Sequence, residues 1–178
     1  QYMQWRNPRE RWVLKSTGYH WGLAAICEVY PDARIVMTHR DPLKLIASHC
    51  SLVSMACSMG SDEVDRIEIG QMWSRSWEEA MSRGVAFRES GHPVARGAFD
   101  MHFAEILKDQ VDMAQRIYEH FDIPMSEEAL RRMRSFIASN PRDRHGTHRY
   151  TLEQFGLDRS KERARYRFYQ DYFKVAEE

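Results

Sequence analysis

The stretch Arg34-Ile35-Val36-Met37-Thr38-His39-Arg40-Asp41-Pro42 decides how this chain is read. Residues 34–38 are mostly apolar or β-branched and predict a strand. Asp41 is a natural N-cap, and Pro42 suits the first helical position, where its missing N–H costs nothing. A helix is therefore expected to run from there to about Met59. Arg40 falls where the strand ends and the helix begins. Helix N-termini bind phosphate through free N–H groups and the helix dipole. Ligands of open α/β sheets sit at the C-terminal ends of strands. Arg40 offers a bidentate fork for an oxyanion. Ser48, two turns into the helix, is placed to donate its hydroxyl to the same anion. The alternative is that Arg40 pairs with a surface carboxylate and Ser48 is merely solvated.

Working upstream, Trp12-Val13-Leu14 reads as a buried strand stopping in the turn Lys15-Ser16-Thr17-Gly18. A helix spans Trp21 to Val29, and Pro31-Asp32 breaks it. Two strands joined by such a helix make a βαβ unit, so the sheet is expected to be parallel.

Downstream, residues 63–88 predict a helix with Ile69, Trp73, Trp77, Ala80 and Met81 on one stripe. Gly91-His92-Pro93 is a loop. Phe99, Met101 and Phe103 alternate with Asp100 and His102, which predicts a third strand. Residues 109–121 form an amphipathic helix, and Ser126 caps another over 127–139 that stops at Asn140-Pro141. Thr151-Leu152-Glu153-Gln154 matches a capping box, with Gly156 ending its short helix. Ser160 starts a last, aromatic-rich helix. Nothing repeats and no linker intervenes, so residues 1–178 read as one domain.

Composition bounds the function. The 178 residues carry 26 Lys+Arg against 26 Asp+Glu and are 43% hydrophobic. That apolar content excludes intrinsic disorder, and the zero net charge argues against a nucleic-acid binder. No apolar run approaches the ~20 residues of a membrane span, and no signal peptide is visible. Arg is used far more than Lys, as suits bidentate recognition of phosphate or sulfate, although base-composition bias explains it equally well. Cys27, Cys50 and Cys57 suggest no disulfide framework, and a reducing, cytoplasmic setting is expected. Cys50 and Cys57, seven apart on one helix, are expected to share a core-facing side.

Two further features bear on chemistry. Lys15-Ser16-Thr17-Gly18-Tyr19-His20 sets a Lys, able to stabilise charge on a bridging oxygen, near a His able to take a proton. Structural hydrogen bonding is the plainer reading of both. Arg142-Asp143-Arg144-His145-Gly146-Thr147-His148 is a basic loop able to close over a phosphate. Its His-x-x-His lacks a third ligand, so no metal is expected. Neither G-x-x-x-x-G-K-[ST] nor G-x-G-x-x-G occurs.

Taken together, Lys15-Ser16, the run from Tyr30 through Pro42, and Ser48 resemble the sulfotransferases that use 3′-phosphoadenosine 5′-phosphosulfate (PAPS), the bacterial branch above all. Phe99 to Ile106, Ile117 to Phe121 and His148 to Leu157 resemble further family segments in the same order, so the likeness covers about residues 11–174. It implies an α/β fold with a P-loop-like parallel sheet flanked by helices and a helix-rich C-terminal half. It implies sulfonyl transfer from PAPS to a hydroxyl acceptor (a small molecule, carbohydrate or lipid) with 3′,5′-ADP as product. No nucleic acid, membrane span or metal is implied, and a homo-oligomer is left open. Arg40 and Ser48 match the pair that grips the 3′-phosphate, and Lys15 matches the Lys near the transferred sulfonate. Arg144, His145 and Gly146 match a late basic loop over the nucleotide, and Phe103 an aromatic position near the adenine.

Two departures stand out. The family usually reads Lys-Ser-Pro-x-His, whereas here Thr17 replaces the Pro and Tyr19 holds the position of the His. His20, one place later, is the candidate base, although one residue along a helix is a ~100° rotation. The family's phosphosulfate loop precedes the Lys-Ser strand, and residues 1–14 contain no Gly and no such loop. The expectation is a sulfotransferase-like domain without its N-terminal strand and loop. The alternative is a non-catalytic nucleotide-binding or protein-interaction member of the same fold, and a nucleoside or sugar kinase fits less well.

Overall fold

A computed structural model of the chain describes residues 5–8, 11–141 and 150–178. After residues 11–16 comes a 3₁₀ turn, Thr17–Gly22, capped by the Ser16 hydroxyl, which accepts from Gly18 N at 3.1 Å. Helix α1 (Leu23–Val29) buries Leu23 and Cys27. Strand β1 (Val36–His39) follows, then α2 (Pro42–Ser58), α3 (Arg66–Glu89) and the short α4 (Pro93–Arg96). Strand β2 (Phe99–His102) runs directly into α5 (Phe103–Lys108), and α6 (Gln110–His120), α7 (Glu127–Ser139) and α8 (Arg159–Phe173) complete the chain.

The sheet is parallel, as expected, but its strands are β1 and β2, with Val36 opposite Phe99 and His39 opposite His102. Parallel neighbours need a crossover, here supplied by α2, α3 and α4. The expected strand at Trp12-Val13-Leu14 is not formed. Val13 is 97% exposed, and the segment pairs with neither β1 nor β2. An apolar run becomes a strand only where a neighbour takes its N–H and C=O groups.

Helix α3 organises the core. Asp65 caps it by accepting from Ile67 N and Glu68 N, and of the expected stripe Ile69, Trp77, Ala80 and Met81 are buried while Trp73 is half-buried at the core's edge. Helices α2 and α8 pack on it. Between α3 and α8 runs a polar seam in which the Tyr166 hydroxyl donates to the Ser74 carbonyl and Ser74 Oγ donates to buried Glu162. Gly70 lets the 3₁₀ turn Glu153–Phe155 rest on α3, because a Cβ there would stand 2.8 Å from Phe155 Cβ. Gly156 ends that turn at φ 65°, a left-handed value that favours glycine.

Two cap predictions hold, and the capping box at Thr151–Gln154 forms only its Gln half, the turn's N-cap being Leu152 with no side-chain bond. Asp41 caps α2, Ser126 caps α7 by accepting from Ala129 N, and Gln154 Oε1 accepts from Thr151 N. Helix α8 starts one residue before Ser160, capped by Asp158. Cys50 is buried but Cys57 is exposed, because α2 outruns its packing partners near its C-terminal end. Among the described residues, no helix is long and apolar enough to cross a membrane.

Candidate functional site

The site grows from the end of β1. Arg40 follows the strand's last residue, and its guanidinium lies 4.2 Å from the centre of the Phe103 ring. This contact follows from the register. His39 is opposite His102, so the next residues, Arg40 and Phe103, leave the sheet side by side. The same guanidinium donates from Nε and Nη2 to both carboxylate oxygens of Glu178 at 3.0–3.2 Å. Arg40 is thus a fork held over an aromatic ring and already gripping an oxyanion. A carboxylate partner for Arg40 is the alternative reading of the sequence, which does not identify Glu178.

Asp41, 1% exposed, closes the front of α2. Its Oδ1 accepts from Leu43 N at 3.0 Å. Arg163 clamps it with bonds of 2.8 and 2.9 Å, and Glu178 N donates to Oδ2 at 2.9 Å. Burial pushes the Asp41 carboxyl up, but the bonds from Arg163, Glu178 N and Leu43 N outweigh it and hold the group below the usual carboxylate range. The helix N-terminus is therefore neutralised by the chain's own carboxylate, and next to it the Arg40 side chain is partly exposed.

Behind Arg40 lies a buried network. His39 is 1% exposed, and its ring stacks on Phe173 at 4.2 Å. Its Nε2 lies 3.0 Å from Asp100 Oδ1 and its Nδ1 lies 2.7 Å from the Tyr169 hydroxyl. Arg88 Nη2 donates to the other Asp100 oxygen at 2.9 Å. Burial raises the Asp100 carboxyl, but the His39 bond and Arg88 more than offset this, so Asp100 is an acceptor only. Burial raises the Tyr169 hydroxyl, so it keeps its proton. Burial also lowers His39 against the pull of Asp100, favouring the neutral ring. One arrangement satisfies all three: Nε2–H donates to Asp100, and Nδ1 accepts from Tyr169.

The other candidates named from the sequence are placed as follows. His20 is half-buried, with Nδ1 3.3 Å from the Thr17 carbonyl and its ring edge-on to Trp77 at 5.9 Å. Burial lowers its pKa, the Thr17 bond works against this, and His39 adds a smaller push downward. A neutral imidazole is the form a general base requires. Lys15 is exposed and precedes the 3₁₀ turn, and Tyr19 is also exposed. Ser48 is half-buried on α2, beside His49, whose ring packs on Trp73 at 4.3 Å. Arg144, His145 and Gly146 lie outside the described residues.

The structure thus joins Arg40 to Phe103 directly and sets His20 near the end of β1. Sequence reading missed Glu178, Arg163 and the His39–Asp100–Tyr169 network. These partners lie 61 to 138 residues apart in the chain, and no local spacing signals them.

Comparisons with known proteins agree with this architecture. The model of the family described as "Sulfotransferase family" matches residues 1–127. The crystal structure of sulfotransferase STF9 from Mycobacterium avium superposes with a TM-score of 0.85 at 30% identity, covering 98% of this chain and 44% of that one. Sulfotransferase STF1 from Mycobacterium tuberculosis H37Rv superposes with a TM-score of 0.75 at 27% identity, covering 92% and 41%. The chain thus spans less than half the length of either. No curated protein sequence matches.

Proposed function

The chain belongs to the sulfotransferase family, and we propose that it serves sulfonyl transfer from PAPS to the hydroxyl of a small-molecule, carbohydrate or lipid acceptor. In this reading Arg40 and Ser48 hold the donor's 3′-phosphate, and Phe103 supports the Arg40 fork near the adenine. The acceptor oxygen attacks sulfur, and the sulfur–oxygen bond to the 5′-phosphate breaks as 3′,5′-ADP leaves. His20 takes the acceptor's proton, and Lys15 spreads charge on the leaving phosphate. Positioning and electrostatics carry most of such a transfer. Arg144, His145 and Gly146 are assigned to cover the nucleotide, and the sheet is assigned to the P-loop-like class.

The observation that carries the reading is the Arg40 fork, lying on Phe103 and holding a carboxylate at 3.0–3.2 Å. A 3′-phosphate offers that fork a more highly charged acceptor of the same geometry. Titration with 3′,5′-ADP and 5′-AMP tests it. Tighter binding of 3′,5′-ADP is expected, and equal binding contradicts it.

The exposed Trp12-Val13-Leu14 segment favours a second reading, a nucleotide-binding member that does not itself turn over PAPS. Binding of 3′,5′-ADP without consumption of PAPS by this chain would select it.

A further inference from the structure

We propose that His39 is the positioning residue of the Arg40 oxyanion seat, tying together the strand end, the ring beneath Arg40 and the helix that delivers Glu178. The inference rests on the reading of Arg40 as the 3′-phosphate ligand.

Three observations converge on it. First, His39 spends both ring nitrogens on partners from different elements, Asp100 of β2 and Tyr169 of α8. An aliphatic side chain would fill the same buried space without a polar pairing, whereas a fully satisfied polar network fixes one arrangement of its elements. Secondly, the pairing of His39 with His102 places Arg40 beside Phe103. A shift of β1 against β2 would move the guanidinium off its ring. Thirdly, His39 stacks on Phe173, the last residue of α8. Five residues later Glu178 reaches Arg40 and Asp41. The elements that touch the Arg40 guanidinium are thus registered to one another through a single imidazole.

The side chain does not itself face the anion. Its effect passes through the backbone at the start of Arg40, so His39 is expected to govern where the fork points rather than to bind the nucleotide.

Three variants separate this from ordinary core packing. Tyr169→Phe removes one hydroxyl and keeps the ring. His39→Phe keeps the stack on Phe173 but loses both hydrogen bonds. His39→Gln keeps a donor where Nε2 meets Asp100. Each folded variant is titrated with 3′,5′-ADP and 5′-AMP, with the thermal midpoint measured alongside. His39→Phe and Tyr169→Phe are expected to weaken 3′,5′-ADP about five- to tenfold while 5′-AMP changes less than about twofold. His39→Gln is expected to recover part of the loss. A lowered midpoint with an unchanged ratio of the two affinities would mean a purely structural role and overturn the proposal. A nucleotide-free readout distinguishes the two ideas. The Arg40 Nε–H resonance, hydrogen-bonded to Glu178, is expected to shift in His39→Phe and Tyr169→Phe, and an unmoved resonance overturns the positioning role. If the unaltered protein binds both nucleotides equally, the 3′-phosphate reading fails, and the positioning role then stands or falls on the resonance.

Discussion

The Glu178 carboxylate lies in the guanidinium fork of Arg40 at 3.0–3.2 Å, while Glu178 N donates to Asp41, the next residue, at 2.9 Å. The chain thus fills its own anion seat with a carboxylate. Both side chains are partly exposed, at 27% and 32%. A pair in that setting contributes about 0–1 kcal/mol. On the proposed reading a 3′-phosphate, more highly charged than the carboxylate, displaces Glu178 from the same fork.

Removing the competitor should therefore help the ligand. Glu178→Gln is expected to tighten 3′,5′-ADP by up to about fivefold, the equivalent of ~1 kcal/mol. Isothermal titration at low salt reads this directly. Weaker binding in the variant would show that Glu178 assists the ligand rather than competing with it.

Asp41 behaves differently because it is buried and fully used. Asp41→Asn takes from Arg163, whose side chain is 15% exposed, its buried carboxylate partner and leaves the largely exposed Glu177 at 3.5 Å. Breaking a buried pair in this way costs about 3–5 kcal/mol. The urea midpoint should fall accordingly, with α2 and α8 losing amide-exchange protection together. A change below about 1 kcal/mol would contradict the clamp.

The pH dependence of stability follows from the titrating groups. Burial lowers His20, His39 and His49 from the ordinary 6.5. The unfolded chain then binds more protons below that value, so stability falls as pH drops from about 6.5. Asp41 and Asp100 are also lowered, from 3.8. Their contribution is present above the unfolded value and is lost as pH falls through the folded one. A denaturant midpoint measured across pH 7.5 to about 3 should show a first decline from the histidines and a further one from the carboxylates. A midpoint flat between pH 7 and 5 would contradict the buried neutral histidines.

Local chemistry made much of this fold legible. Asp41-Pro42 announced α2, Ser126 announced α7, and the alternation at 99–103 announced β2, because caps and period-2 patterns act within a few residues. Pairing is not local. Trp12-Val13-Leu14 has strand composition, yet residues distant in the chain decide whether it finds a partner. The site divides in the same way. Arg40 could be placed at the strand-to-helix corner from the sequence. The contact with Phe103 needed the β1–β2 register, and the carboxylate in the fork needed the course of the chain beyond α8.

Packing at Gly70 offers a test of the region that seats α8. A Cβ there would meet the backbone of Phe155 at its carbonyl and stand 2.8 Å from its Cβ. Gly70→Ala is expected to destabilise by about 1–3 kcal/mol through overpacking, despite alanine's better helix propensity. A stabilised variant, judged by thermal midpoint, would show that the 3₁₀ turn at Glu153–Phe155 yields easily.

The most direct test of the central claim is the affinity of Arg40→Ala for 3′,5′-ADP and for 5′-AMP, set beside the unaltered chain. A loss of about ten- to a hundredfold is expected for 3′,5′-ADP, with little change for 5′-AMP. An equal loss for both nucleotides, or none for either, would contradict the assignment of Arg40 to the 3′-phosphate.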